Sequence, residues 1–251
     1  MFFIRLILIS LVVFSCANKQ KAEEKANLHM QLGLSYLERQ EYALALKELL
    51  SAEEADPNNS LVQNNLGLVY FIREKYDLSI KHFSNAYNLN KKFTEAKNNL
   101  ARTYIEIKDY KKAQILLDEV LADLTYTETA KAYMNYGLLE FNQDHFKNAK
   151  IYFKKTLQTY RDDCYAKLYL GRCSLELKET AAALAQLEKA TTFCKDIGVD
   201  GAHYYAAIAN YRSGRKDQAL IRFKEVISQF PNGAYRDQAK KMINLIEKGT
   251  L

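Results

Sequence analysis

The chain has 251 residues, of which 48% are hydrophobic and 26% charged, with a formal net charge of +6 and only two prolines. That length suffices for one elongated domain, and no lysine or arginine block reaches the density of a nucleic-acid-binding stripe. No Gly/Ser/Pro-rich linker or low-complexity stretch interrupts the chain, so neither a second domain nor an appended catalytic domain is expected.

At the amino terminus Arg5 is followed by the apolar run Leu6 to Phe14 and then by Ser15-Cys16. The run is too short to cross a bilayer, which takes about 20 apolar residues. A positive start, a short apolar stretch and a small residue read as an export signal over residues 1–15. Val13-Phe14-Ser15-Cys16 resembles the bacterial lipobox. The resemblance implies that Cys16 is diacylated and becomes the first residue, and that Ala17 after it favours the outer membrane. The alternative is a plain cleaved signal with an incidental cysteine. Residues 16–25 then read as the lipidated Cys and a polar tether. Removing residues 1–15 takes Arg5 from the net +6 and leaves +5, a mild excess read as solvated surface.

From residue 26 a pattern of small residues sets in. Gly33, Gly67, Ala101, Gly137, Gly171 and Ala207 recur at intervals of 34, 34, 36, 34 and 36. Twelve residues after each stands another small residue: Ala45, Ser79, Ala113, Ala149, Ala183 and Ala219. Four further on stands a large one: Leu49, Phe83, Leu117, Phe153, Leu187 and Phe223. A fixed period near 34 marks stacked helix pairs, none of which can bury its apolar face alone. The small residues let the two helices of a pair cross closely, and the large ones fill the space between.

This spacing resembles the tetratricopeptide repeat over residues 26–231, most fully in the first unit, where Leu32, Gly33, Tyr36, Tyr42, Ala45, Leu49, Ala52 and Asp56-Pro57 are all in place. The resemblance implies an all-α fold, a right-handed superhelical solenoid of six tetratricopeptide-like helix pairs. Pro57 and Pro231 fall where a helix pair would end. Residues 232–251 follow as a capping helix, with Tyr235, Ala239, Met242, Ile243 and Ile246 on one face and a polar back.

Three cysteines lie beyond Cys16. Cys164 opens the first helix of the fifth pair and Cys194 closes the second, so these ends lie side by side in an antiparallel pair. A disulfide Cys164–Cys194 is therefore one reading and two separate thiols the other, because helix axes stand about 8–10 Å apart while a bridge needs Cα atoms within about 7 Å. Cys173 reads as a small core residue. The four histidines fall in four different units, and no CxxC, HExxH, Walker loop or GxSxG is present. No catalytic residue, metal site, cofactor or small-molecule substrate is expected.

If the repeat resemblance holds, the first helix of each pair lines the concave side. There Gln31, Asn65, Asn99, Asn135, Tyr169 and Tyr205 occupy one row, and Leu34, Leu68, Arg102, Leu138, Arg172 and Ile208 the next. Asn64, Asn98 and Met134 extend the set. Amides beside leucines suit an extended or helical peptide guest, the amides meeting its backbone and the apolar residues its side chains. The competing reading is that each Asn packs against the adjacent helix and stabilises the stack. Tyr165, Tyr169, Tyr204, Tyr205 and Tyr211 make the carboxy-terminal end tyrosine-rich, which fits interface anchors and repeat core equally.

The layout is similar to the type IV pilus pilotin family, the PilF/PilW lipoproteins. The resemblance is carried by Gln31-Leu32-Gly33-Leu34-Ser35-Tyr36-Leu37, Asp56-Pro57, Asn98-Asn99-Leu100, Asn135-Tyr136-Gly137-Leu138 and Tyr152-Phe153-Lys154-Lys155. The longer connection Leu124-Thr125-Tyr126-Thr127-Glu128 is its most specific part. It implies a lipid-anchored protein of the periplasmic face of the outer membrane that helps the type IV pilus secretin to localise and multimerise. An alternative is an envelope assembly lipoprotein of the β-barrel insertion or cell-division type, whose repeat ends Phe230-Pro231-Asn232-Gly233-Ala234-Tyr235 resemble.

Overall fold

The computed structural model describes the backbone of residues 2–249 and the side chains of residues 20–249. The side chains of the expected signal segment, and Cys16 itself, lie outside the described residues. Among those described, every regular element is an α-helix, and consecutive helices pair as the repeat spacing predicts. The chain divides into two compact units, residues 1–127 and 128–251.

The first unit holds α1 (Phe2–Glu38), α2 (Tyr42–Ala55), α3 (Ser60–Ile72), α4 (Tyr76–Leu89), α5 (Thr94–Glu106) and α6 (Tyr110–Ala122). The segment expected as a tether belongs to α1, since Gln20, Lys21, Ala22, Glu23, Glu24 and Lys25 are strong helix formers. Gln20 also donates to Glu24 one turn on, at 3.0 Å. The second unit holds α7 (Thr129–Asn142), α8 (Phe146–Thr159), α9 (Cys164–Glu176), α10 (Thr180–Cys194), α11 (Gly201–Arg212), α12 (Lys216–Gln229) and α13 (Arg236–Glu247).

Each pair is built around its small-on-large crossing. Leu49, Phe83, Leu117, Phe153, Leu187 and Phe223 are all buried. A Cβ added at Gly67 would stand 2.6 Å from Phe83 Cδ1, and one at Gly137 would stand 2.5 Å from Phe153 Cε1. The glycines are thus required by close approach, because no side-chain atom fits between helix and ring.

The turn inside each pair repeats as strictly as the crossing. Gln40, Glu74, Lys108, Asp144, Lys178 and Gly214 all adopt positive φ, between 57° and 77°. In each case the following N–H donates to a carbonyl five residues back, as Glu41 does to Tyr36 at 2.9 Å and Lys75 to Tyr70 at 2.8 Å. This closes the helix C-terminus. Only the sixth turn uses glycine, so the other five accept a left-handed residue at about 1–2 kcal/mol each. Between pairs, Asn59 caps α3 by accepting from Leu61 and Val62 N–H at 3.0 and 3.2 Å.

The longer connection after α6 is an ordered turn. Asp123 accepts from the Thr125 hydroxyl at 2.6 Å and from the Thr94 hydroxyl on α5, and Tyr126 donates to Glu95. These hydroxyl bonds hold the Asp123 carboxyl down at about 2. At the far end, α13 buries Ala239 and Ile246 on Ala219, Phe223 and Val226, with Tyr235, Met242 and Ile243 packed alongside. The expected capping face is the one that seals α12.

In the second unit Cys164 and Cys194 are bonded, with Cα atoms 5.0 Å apart. They stand at the first residue of α9 and the last of α10, where the two chains come closer than the helix axes do. Both lie in a core cluster with Leu168, Leu187 and Ala202. Cys173 is buried as a free thiol, and burial pushes it up to about 12.

Two stability outcomes follow. Gly137→Ala forces Phe153 out of its place and should cost about 1–3 kcal/mol in urea unfolding. Reducing the Cys164–Cys194 bond, or replacing both cysteines by serine, should lower stability by about 2–4 kcal/mol, and reductant should have no further effect on the double variant.

Candidate functional site

In the first unit the inner face is made by α1, α3 and α5. On α1 Gln31 is exposed and Leu34 is 36% exposed, so a leucine stands open to solvent beside an amide. On α3 Asn65 and Leu68 are half-buried, whereas Asn64 is buried. Asn98 on α5 is buried and Asn99 half-buried. Asn99 Nδ2 donates to Asn64 Oδ1 at 3.1 Å. These two amides therefore join α5 to α3, and the reading of asparagine as a stacking residue describes them. Arg102 closes on Glu106 in the next turn, with Nη2 at 2.7 Å and Nε at 3.0 Å from Oε1, and its guanidinium lies 5.9 Å from the Phe71 ring centre.

In the second unit the expected residues are differently placed. Met134 is half-buried and Asn135 buried. Leu138 is only 3% exposed, so it serves as core and offers no surface to a guest. The accessible groups on this inner face are aromatic. Arg172 on α9 sits between Phe141 of α7, Tyr169 of α9 and Tyr205 of α11, with Cζ 4.6, 4.8 and 4.5 Å from the three ring centres. Tyr205 stands edge-on to Tyr235 at 5.4 Å, and their hydroxyls are 3.4 Å apart. Burial raises the Tyr205 hydroxyl well above its ordinary value, and the Tyr235 hydroxyl adds to this. Sequence reasoning named Tyr169, Tyr205 and Arg172 as rows but missed their convergence with Phe141 and Tyr235. The available signal was that one row turns from amides to Tyr169 and Tyr205 while Arg172 replaces leucine in the next.

The histidines bridge the two helices of their pairs or brace a turn. His29 Nδ1 meets Glu48 at 2.7 Å, His145 meets Glu140 at 3.0 Å, and His203 meets Glu225 at 3.0 Å. His82 is buried, with Nδ1 2.8 Å from Gln63 Oε1 and its ring stacked on Tyr70 at 5.2 Å. Gln63 in turn donates to Glu53 at 2.8 Å, which fixes its amide oxygen toward the histidine and requires an Nδ1–H there. Across α10 and α12, Arg222 spans Glu188 and Glu225. Burial alone would raise Glu225, but Arg222 and His203 hold its carboxyl below the usual value. These groups knit neighbouring helices together. Among the described residues no group of three or more His, Cys, Asp or Glu side chains could hold a metal ion, and no helix is long and apolar enough to cross a membrane.

Four family models, each described as a tetratricopeptide repeat, match residues 30–92, 70–125, 130–163 and 202–233. The fold is similar to that of PilW, a widely conserved type IV pilus biogenesis factor, at 21% identity and a TM-score of 0.72, over 83% of this chain and 95% of that one. It is likewise similar to PilF of Pseudomonas aeruginosa, at 20% identity and a TM-score of 0.70, over 88% of this chain and 99% of that one. YrrB, a tetratricopeptide-repeat protein with an unusual peptide-binding site, matches at 18% identity and a TM-score of 0.53, over 77% of this chain and 97% of that one. At such identities the likeness is one of fold. No curated protein sequence matches the chain.

The His82 environment gives a pH dependence whose sign is determined. Burial lowers its pKa below the ordinary 6.5, outweighing the attraction of Glu53. Below that ordinary value the unfolded chain takes up a proton that the folded chain refuses, so stability is present above it and is lost as the pH falls. Urea midpoints should drop between about pH 7.5 and about pH 5.5, and His82→Gln should remove part of that drop.

Proposed function

We propose that this chain, a tetratricopeptide-repeat protein, is a non-catalytic scaffold that binds a protein segment and assists the type IV pilus secretin in reaching the outer membrane and multimerising there. The observation that carries this reading is the end-to-end likeness to PilW and PilF, whose whole chains are nearly covered by this one. The likeness spans 83% and 88% of this chain, far more than one repeat.

The mechanism is physical. The acyl chains on Cys16 hold the protein on the periplasmic face of the outer membrane, and two or more chains make that attachment stable where one would be marginal. Tethering then raises the local concentration of a weakly held guest by confining both partners to one surface. On the first unit the open residues Gln31 and Leu34, with the half-buried Asn65 and Leu68 beside them, form the capture surface. The leucines take apolar side chains of the guest and the amides meet its backbone. The fold is that of a protein-interaction scaffold.

Outer membranes of a strain lacking the gene should lose the detergent-resistant secretin multimer. The wild-type chain should restore it; Cys16→Ala and Leu34→Glu should not, although Leu34→Glu retains the wild-type melting temperature because that side chain is open to solvent. A multimer unaltered by the deletion would overturn the reading and move attention to β-barrel assembly or cell division.

A further inference from the structure

We infer that the inner face of the second unit is a receptor for a carboxylate, and that its occupant is an acidic protein segment whose Asp or Glu side chain is taken by Arg172. The inference rests on the chain being a binding scaffold and is independent of the secretin.

The first unit supplies the control. Arg102 and Arg172 occupy the same row of their helices, and each has a glutamate four residues on, Glu106 and Glu176. Arg102 closes on Glu106 at 2.7 Å, the ordinary outcome at this spacing. Arg172 does not close on Glu176: among the described residues no hydrogen bond or ion pair holds its guanidinium. Instead three rings from three successive inner helices surround it at 4.5–4.8 Å. Phe141 and Tyr169 brace each other edge-on at 5.1 Å, and Phe153 stacks under Tyr169 at 5.4 Å. The rings are themselves fixed, so the arginine is fixed too.

A guanidinium carries five N–H donors in a rigid fork, and the rings around this one meet its charge without supplying a lone-pair acceptor to those donors. Those donors need an acceptor, and a carboxylate is the planar, two-pronged group that fits them. Because Arg172 is half-buried, the acceptor can reach it from solvent. Its rotamer is already restricted by the rings, so little ordering remains to oppose binding. The surroundings choose the class of partner. Tyr205 and Tyr235 extend an aromatic wall beside the arginine, suited to side chains of a peptide. Arg212 on α11 donates from Nη1 to the Leu175 carbonyl of α9 at 3.0 Å, which ties these two helices together. Glu176 stands exposed one turn from Arg172 and repels a dense polyanion, which disfavours nucleic acid and an anionic bilayer relative to a single carboxylate.

The test uses the full chain and two fluorescein-labelled peptides of about twelve residues, one alternating leucine with glutamate and the other leucine with glutamine. Fluorescence anisotropy should give a preference for the glutamate peptide of about 10- to 100-fold, the range of a charge-assisted hydrogen-bond pair. Arg172→Lys keeps the charge but loses the fork, and should collapse the preference while the chain remains folded with a cooperative thermal transition. Lys154→Gln, which removes an exposed charge from the same unit, should leave the preference intact. Equal affinities, no measurable binding to either peptide, a preference surviving in Arg172→Lys, or Arg172-dependent binding to phosphatidylglycerol vesicles as strong as to the glutamate peptide would each overturn the inference. A chain that discriminates the peptides while its deletion leaves the secretin multimer intact would keep this receptor and remove the pilus reading.

Discussion

Everything in this protein depends on how closely the two helices of a pair can cross. At Gly67 and Gly137 the space a Cβ would need is already filled by Phe83 and Phe153, so the helix backbone itself is a packing surface. That contact fixes the rotation of the first helix about its axis, and rotation decides which residues face inward, which meet the next pair and which meet water. The rule admits variation: Ala101 rests over Leu117 and Ala207 over Phe223, with all four residues buried. Beside Ala207, Phe223 also meets the ring of Tyr204 edge-on, with centres 5.6 Å apart. The crossing therefore sets the register of the faces without dictating their chemistry.

The two units show how much that chemistry can differ on one register. In the first, the inner rows are satisfied internally: Asn99 bonds Asn64 and Arg102 bonds Glu106. What remains open there is apolar and amide in character, Leu34 and Gln31. In the second, aromatic residues occupy the neighbouring rows, and an arginine is drawn from its glutamate onto three rings. A cation over one ring gains about 0.5–1 kcal/mol even at an exposed site, and three rings share this one, whereas an exposed helical ion pair gains about 0.3–0.5. The stacked arrangement wins for that reason, and the charge it carries stays available.

The small-on-large spacing, the closing Asp56-Pro57 and the sealing face of α13 were all legible in the sequence, because each is set by residues within one pair. What neighbours decide was not. Leu138 and Leu34 share a row, yet Leu138 is core and Leu34 is open; periodicity assigns both to one face and says nothing of what covers it. Asn64 and Asn99 looked equally suited to a guest and to each other, and only their 3.1 Å separation decides. The sulfurs of Cys164 and Cys194 meet because they stand at chain ends, where the separation of helix axes no longer governs the distance. Arg172 was readable as a row member, but its cage draws on α7, α9 and α11 at once, a convergence that no single repeat contains.

The ends of the repeat series carry the same logic further. The row containing Val62, Leu66 and Val69 is buried in the second pair, as is the row containing Ala96, Leu100 and Thr103 in the third. Each is covered by the second helix of the pair before it. In the first pair the equivalent row begins with Leu28 and Leu32, which are 57% and 42% exposed: among the described residues no second helix covers this row of α1. At the other end α13 presents Ala239 and Ile246 inward and places Arg236, Lys240 and Lys241 elsewhere, so α12 is covered by a helix with a charged back. A repeat series must stop somewhere, and an uncovered row at either end is apolar surface in water unless a polar-backed helix closes it. Here α13 covers the apolar face of α12, while Leu28 and Leu32 of α1 stand in water. The asymmetry is written in the residues themselves: Leu28 and Leu32 present apolar side chains to water, whereas α13 turns its apolar face to α12 and a charged back outward.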